Sequence, residues 1–245
     1  MEEPFAEANV SVVYPAGEAV LKIQWPHRES EHEAAALELW AGDGAVRLLA
    51  YDGERHALLL ERCRPGTSLG EFDADAALGV LTGLLPRLWK PAGPPFRSLA
   101  EEAGWWAGYI RVEWDKDGTL FEEELVAAAV TALEELAPTQ GEQVLIHQDL
   151  HADNVLAAER EPWLVIDPKP LAGEREFGLA SIIRSSELGH SERAVVGRLD
   201  LLSAELGLDR ERARGWALGQ AIAWSFGGEY NKRHVETARW LLQAE

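Results

Sequence analysis

The chain of 245 residues has one cysteine, Cys63, and one methionine. A single cysteine cannot close an internal disulfide, so the sequence fits a reducing, cytoplasmic compartment. No apolar run reaches the roughly 18 residues of a helical membrane span, which excludes that class. The opening residues Met1 to Phe5 lack the basic stretch of a secretory signal. Positive charge is scarce: 23 Lys and Arg stand against 42 Asp and Glu, for a net charge of -19. That excludes nucleic acid as a partner, because its phosphates demand a basic surface. The same balance is compatible with a cationic small molecule drawn into an acidic cleft, and equally with a surface kept soluble by charge. Internal repeats and low-complexity segments are absent, and nothing specifies an oligomeric state.

What is present is a hydrophobic content of 47% and ten tryptophans. That is enough apolar material for one large domain or two modest ones. Most of the tryptophans belong in a core, with a few available for a cation-stacking wall.

The polar residues concentrate in one place. Val144-Leu145-Ile146 reads as a buried strand, and His147-Gln148-Asp149-Leu150-His151-Ala152-Asp153-Asn154 follows at once. A second apolar run, Trp163 to Ile166, ends at Asp167-Pro168. This spacing suits phosphoryl transfer. One aspartate accepts the proton of an attacking hydroxyl, an asparagine reaches a magnesium ion, and a later aspartate at a strand end holds the same metal. Two other readings stand beside it. His147, Asp149 and His151 alternate and could share one face of an extended chain as a transition-metal site, or the cluster could be a solvated turn. Neither accounts for Asp167-Pro168.

The Asp-x-x-x-x-Asn pattern of Asp149 and Asn154 resembles the protein-kinase catalytic loop. The variant here, with Ile166-Asp167-Pro168 after it, is similar to the aminoglycoside phosphotransferase branch. Trp163–Leu171 and Gly173–Phe177 resemble the streptomycin 6-kinase and hydroxyurea phosphotransferase family within it.

The rest of the chain can be read beside that resemblance. Residues 9–14 and 18–24 form two strands around a Pro15-Ala16-Gly17 turn. Lys22 lies in the second, where a lysine among aliphatics can also snorkel to solvent. Residues 26–40 carry a helical run with Glu29, Glu31 and Glu33. The resemblance makes Lys22 the holder of the α- and β-phosphates and Glu33 its partner, with Glu29 as runner-up. Strands over 46–51 and 55–61 join at Asp52-Gly53. Glu61 to Cys63 then take the place of a hinge whose backbone groups bind adenine; read without the resemblance, the segment is an ordinary linker.

Residues 1–8, where the resemblance places a phosphate-covering loop, contain no glycine. A shortened loop, a start inside a longer frame, or impaired nucleotide binding would each explain this. Helices are expected over 73–90, 98–114, 121–136, 192–206, 209–224 and 235–243, with Asp209 as an N-cap. Residues 169–177 read as a loop rich in breakers. Gly178 stands where many relatives would have an aspartate. Glu187, Glu192, Asp200, Trp224 and Glu229 are candidates for a substrate cleft or, individually, ordinary surface charges and a core aromatic.

The resemblance thus implies an α+β, bilobal, protein-kinase-like fold. A small β-sheet-plus-helix N-lobe would span 1–62 and a larger, mainly helical C-lobe 63–245. It implies ATP and Mg2+ as cofactors and a small-molecule hydroxyl acceptor, either an aminoglycoside of streptomycin type or hydroxyurea. Asp149 and Asn154 would be catalytic, Asn154 and Asp167 metal ligands, and Lys22, Glu33, Glu61 and Cys63 nucleotide-binding. His147 and His151 would brace the loop. The alternatives are a kinase of an endogenous sugar or amino-alcohol, and a nucleotide-binding or sequestering protein with impaired catalysis.

Overall fold

The structure, a computed structural model, describes residues 6–8, 11–116, 121–226 and 231–244. The first layer is a five-stranded antiparallel sheet. It holds β1 (Ala6–Ala8), β2 (Ser11–Ala16), β3 (Ala19–Gln24) and, after helix α1 (Glu33–Trp40), β4 (Leu48–Asp52) and β5 (Ala57–Glu61). The strand order is β1-β2-β3-β5-β4. The β2–β3 hairpin closes through Gly17 at φ +64°, as a two-residue loop with glycine first requires.

Strand alternation places Lys22 and Gln24 on the covered face and Ile23, 40% exposed, on the other. Lys22 therefore does not snorkel; it sits mid-sheet, between Val13 on β2 and Leu58 on β5. The helix expected over 26–40 begins only at Glu33. Pro26 offers no N–H, and local bonds hold the segment after it as a turn. Ser30 Oγ donates to His27 O, and Glu29 N–H donates to His27 Nδ1. Glu33, Ala36, Leu37 and Trp40 make the buried face of α1, and Trp40 Nε1 donates to Leu88 O at 2.8 Å.

The remainder is mainly helical, with two short strand pairs. In order come α2 (Ala74–Leu88), α3 (Leu99–Lys116), α4 (Glu123–Leu136), β6 (Val144–Ile146), β7 (Val155–Ala157), β8 (Trp163–Val165), β9 (Leu171–Gly173), α5 (Ala180–Ile183), α6 (Glu192–Leu206), α7 (Arg210–Ala223) and α8 (Lys232–Gln243). Antiparallel pairs β6–β9 and β7–β8 carry the polar motif between them. The segment after Asp167 is thus partly a strand, not only a loop. Helix α7 is buried on most of its surface and packs against α3, α4, α6 and α8. Trp216 of α7 meets Phe177 edge to face, and Phe177 meets Trp106 at a tilt, with ring centroids 5.6 and 5.7 Å apart. Asp209 caps α7 as expected, accepting from the N–H groups of Glu211 and Arg212. No helix of the described residues is long and apolar enough to cross a membrane.

One close approach fixes β9 against α3. A Cβ on Gly173 would lie 2.6 Å from Leu99 Cβ, a rigid stem at the start of the helix. Gly173→Ala is therefore expected to cost about 1–3 kcal/mol through overpacking. Thermal unfolding checks this, and an unchanged midpoint would show that β9 can shift freely.

Candidate active site

The site forms where β6 ends, β8 ends and β3 crosses above them. Two non-glycine residues there adopt left-handed backbone, Gln148 at φ 65° and Asp167 at φ 53°. Such conformations are costly for side-chain-bearing residues and collect where function demands them. His147 braces this geometry. Its Nε2–H donates to Ile166 O at 2.8 Å, its Nδ1 accepts from Asp149 N–H, and its ring stacks on Trp40. Burial lowers its pKa to about 4, so it stays neutral and serves as a strut between the two loops.

Asn154 is held by its own amide. Its Nδ2 donates to Asp149 O at 2.8 Å and contacts His151 Nε2 at 3.1 Å. Its Oδ1 has no hydrogen-bond partner among the described residues. That free oxygen and the Asp167 carboxylate make a hard-oxygen donor set of the kind Mg2+ takes, so the residues fit the metal.

Lys22 joins the sheet to this centre. Its Nζ binds Glu33 Oε2 at 2.6 Å and forms a short ion pair with Asp167 Oδ1. Burial alone would lower the lysine pKa, but the two carboxylates outweigh it and the net shift is upward. Gln24 also donates to Glu33 Oε2. The structure thus brings Lys22 to Glu33. Glu29 lies outside the helix, in the preceding turn, so it shares no helical face with Glu33. Its carboxyl is pushed up by burial and feels the charges of Lys169 and Asp149.

Asp149 lies between two cations. Arg184 Nη2 reaches its Oδ1 at 2.9 Å, and Lys169 Nζ its Oδ2 at 3.0 Å. Burial raises the carboxyl's pKa, yet Arg184 and Lys169 overcome it and hold the group well below the usual range. Lys169 Nζ also lies 3.3 Å from Asp167 Oδ2. Arg184 is itself anchored: it donates to Gln220 Oε1 and His234 Nε2, and its guanidinium lies 4.2 Å over the Trp224 ring. Burial, then Arg184, lower the His234 pKa to about 4, leaving a neutral acceptor.

Beside Asp149 opens a cavity of about 350 Å³, whose lining includes His151, Asp153 and Glu187 together with Arg184, Arg233 and His234. Its lining carries both signs of charge, not the single sign of the acidic cleft with which the composition is compatible. Of the cleft candidates, Glu187 lines it and Trp224 supports it from under Arg184. Glu192 sits in the first turn of α6 and Asp200 pairs with Arg210 at the surface. Glu229 lies outside the described residues. Gly178 is buried against the Trp89 indole, so that position packs rather than faces the cavity. His147, Asp149 and His151 do not form a joint metal face, because His147 turns inward to Ile166. Ligand atoms of His151, Asp153 and Glu187 gather instead.

Glu187 accepts from Ala152 N–H, His151 Nδ1 and Ser185 Oγ. Burial opposes ionisation, but these bonds win and lower its pKa to about 2. The folded state therefore binds fewer protons than the unfolded one between pH ~4.3 and ~2. The stability this group contributes is present above that window and lost as pH falls through it. Measured unfolding midpoints should drop across the window, and the slope should flatten in Glu187→Gln.

At the end of β5, Glu61 binds Arg160 through both carboxylate oxygens, at 2.7 and 3.0 Å. Its backbone N–H is committed to Arg47 O, leaving no free donor there for a nucleobase. Cys63 is half-buried, and burial pushes its thiol up to about 11, so it is no nucleophile at neutral pH. Three residues of the site escaped the sequence reading: Lys169, Arg184 and His234. Arg184 had one legible signal, a charge directly after the apolar pair Ile182-Ile183.

A small antiparallel sheet with its lysine–glutamate pair, set on a helical body with an Asp149/Asn154/Asp167 loop system, defines a protein-kinase-like fold. Solved structures agree. The choline kinase of Streptococcus pneumoniae superposes with a TM-score of 0.67 at 13% identity, covering 98% of this chain and 90% of its own. An aminoglycoside phosphotransferase in ternary complex with AMP-PNP and hygromycin B gives 0.64 at 15% identity, over 99% and 90%. Residues 5–226 match the family described as aminoglycoside/hydroxyurea antibiotic resistance kinase, and the chain belongs to that family. Hydroxyurea phosphotransferase of Kitasatospora aureofaciens is 44% identical over 84% of this chain and 60% of its own length. Streptomycin 6-kinase of Streptomyces griseus is 42% identical over 83% of this chain and 68% of its own length. The chain therefore spans about two thirds or less of these two relatives.

Proposed function

We propose that this chain is an ATP-dependent phosphotransferase moving the γ-phosphoryl group to a hydroxyl of a small molecule. The observation that carries the reading is the continuous chain of ion pairs Glu33–Lys22–Asp167–Lys169–Asp149. It links the sheet's lysine to a buried carboxylate at the mouth of a cavity. In this reading Lys22, positioned by Glu33, holds the α- and β-phosphates, and Asp149 orients the acceptor hydroxyl and takes its proton. Asn154 and Asp167 hold Mg2+, which offsets the negative charge of the triphosphate. Glu61 and Cys63 mark the hinge, with the N-lobe ending near residue 62 and the C-lobe beginning at 63. Cys63, with no bridging partner in the chain, supports a cytoplasmic location.

For the acceptor, the two relatives support streptomycin or hydroxyurea. The cavity supports a polar molecule, with the Glu187 carboxylate available to an amino or guanidino group and Arg233 available to a carbonyl. The test is ADP release from Mg·ATP with streptomycin and, separately, hydroxyurea. Acceptor-dependent turnover is expected with one of them. Absence of turnover with both, together with absence of Mg·ATP binding, would remove the kinase reading.

A further inference from the structure

The catalytic loop from Asp149 to Asn154 contains no lysine or arginine. Phosphoryl transfer nevertheless spreads negative charge over the oxygens of the migrating group, and phosphotransferases meet it with a fixed cation. Three cations surround this centre, and each has its own place. Lys22 is held by Glu33 and Asp167, at the nucleotide end. Arg184 is held on Asp149 Oδ1, Gln220 and His234, at the acceptor end. Lys169 alone touches both carboxylates, at 3.0 Å from Asp149 Oδ2 and 3.3 Å from Asp167 Oδ2. Its side chain is only 15% exposed, and its backbone N–H is tied to His147 O at 3.0 Å. If Asp149 marks the attacking hydroxyl and Asp167 the metal-bound triphosphate, a group bridging them lies along the path of the transferred phosphoryl.

We propose that Lys169 is a catalytic residue of the transfer step, its ammonium hydrogen-bonding the γ-phosphoryl oxygens as they pass from nucleotide to acceptor. The inference rests on the kinase reading above. In the step, the acceptor oxygen forms a bond to Pγ while the bond from Pγ to the bridging oxygen of ADP breaks. That electron pair leaves on the β-phosphate, and the hydroxyl proton goes to Asp149. Lys169 neither gains nor loses a proton. Burial opposes its charge, but Asp149 and Asp167 hold its pKa well above that of an ordinary lysine. The competing role is that of a mere counter-ion keeping two carboxylates together.

The experiment measures Mg·ADP affinity with and without aluminium fluoride, a mimic of the planar phosphoryl group, for the wild type, Lys169→Met and Lys169→Arg. Turnover with streptomycin or hydroxyurea is measured alongside. In the wild type, fluoride should tighten ADP binding. Lys169→Met should keep Mg·ADP affinity and KM for ATP, lose the fluoride-dependent tightening, and lower kcat about 10³-fold, the scale of a charge-stabilising cation. Lys169→Arg should recover part of both. Retention of the tightening and of kcat in Lys169→Met would overturn the proposal. Equal loss of plain Mg·ADP affinity would also overturn it, by making Lys169 part of site assembly. Failure of the wild type itself to show tightening would count against the kinase reading, which separates the two failures.

Discussion

Asp149→Asn is expected to abolish acceptor-dependent turnover, with a fall of about 10²–10⁴-fold, the usual contribution of a positioned general base. The substitution is nearly isosteric, so the cavity keeps its shape. What changes is charge and basicity. An amide cannot take the hydroxyl proton, and it leaves the Arg184 guanidinium, 10% exposed, with only neutral partners, Gln220 and His234. Breaking a buried ion pair from one side costs about 3–5 kcal/mol, so stability should fall as well. The two effects separate by measurement. Nucleotide affinity and the folded fraction are followed by titration and circular dichroism, and ADP release is normalised to folded protein. A decline in turnover no larger than the loss of folded protein would remove Asp149 from the catalytic role.

Asp167→Asn should act at the other end of the same chain of charges, and with a different profile. The carboxylate is the anionic member of the proposed metal pair, and losing it should raise the barrier by about 3–4 kcal/mol, comparable to losing one preorganised electrostatic contact. The half-saturating Mg2+ concentration should rise. Its side chain is 36% exposed, against 14% for Asp149, so the unfolding midpoint should move less than in Asp149→Asn. Lys22 keeps its second partner, Glu33, which limits the damage to the sheet. A variant with wild-type magnesium dependence would show that the metal is held elsewhere.

The two substitutions divide the site into halves that sequence and tertiary structure reveal unequally. Asp149, Asn154 and Asp167 are legible from local pattern, a polar turn between two apolar strands, whereas Lys22 and Glu33 are singled out only by the family resemblance, because a strand lysine among aliphatics also reads as one that snorkels to solvent. The structure pairs Lys22 with Glu33 and Asp167 and ties the Asn154 amide to Asp149 O. Glu29 shows where the pattern is ambiguous. It shares the acidic composition of the helical run, but Pro26 and the Ser30 side chain hold its segment as a turn, and local backbone bonding overrode propensity.

Lys169 and Arg184 show the other limit. Neither has a local reason to face Asp149. Lys169 does so because β9 pairs back onto β6, fixing the segment after Asp167 beside the Asp149–Asn154 loop. Arg184 does so because α5 packs on α7, whose Gln220 meets it.

By itself, the sequence determined the longer strands and helices and the Asp149, Asn154 and Asp167 pattern that suits phosphoryl transfer, but not β7, β9, α5 or the late start of α1. Periodicity and turn chemistry act over a few residues and are written directly in the chain. Only the tertiary structure decided which cations meet which carboxylates and that the cavity beside Asp149 carries both signs of charge. Those depend on contacts between segments up to 145 residues apart, as in Lys22 with Asp167, and on burial, which sets how strongly each charge is felt.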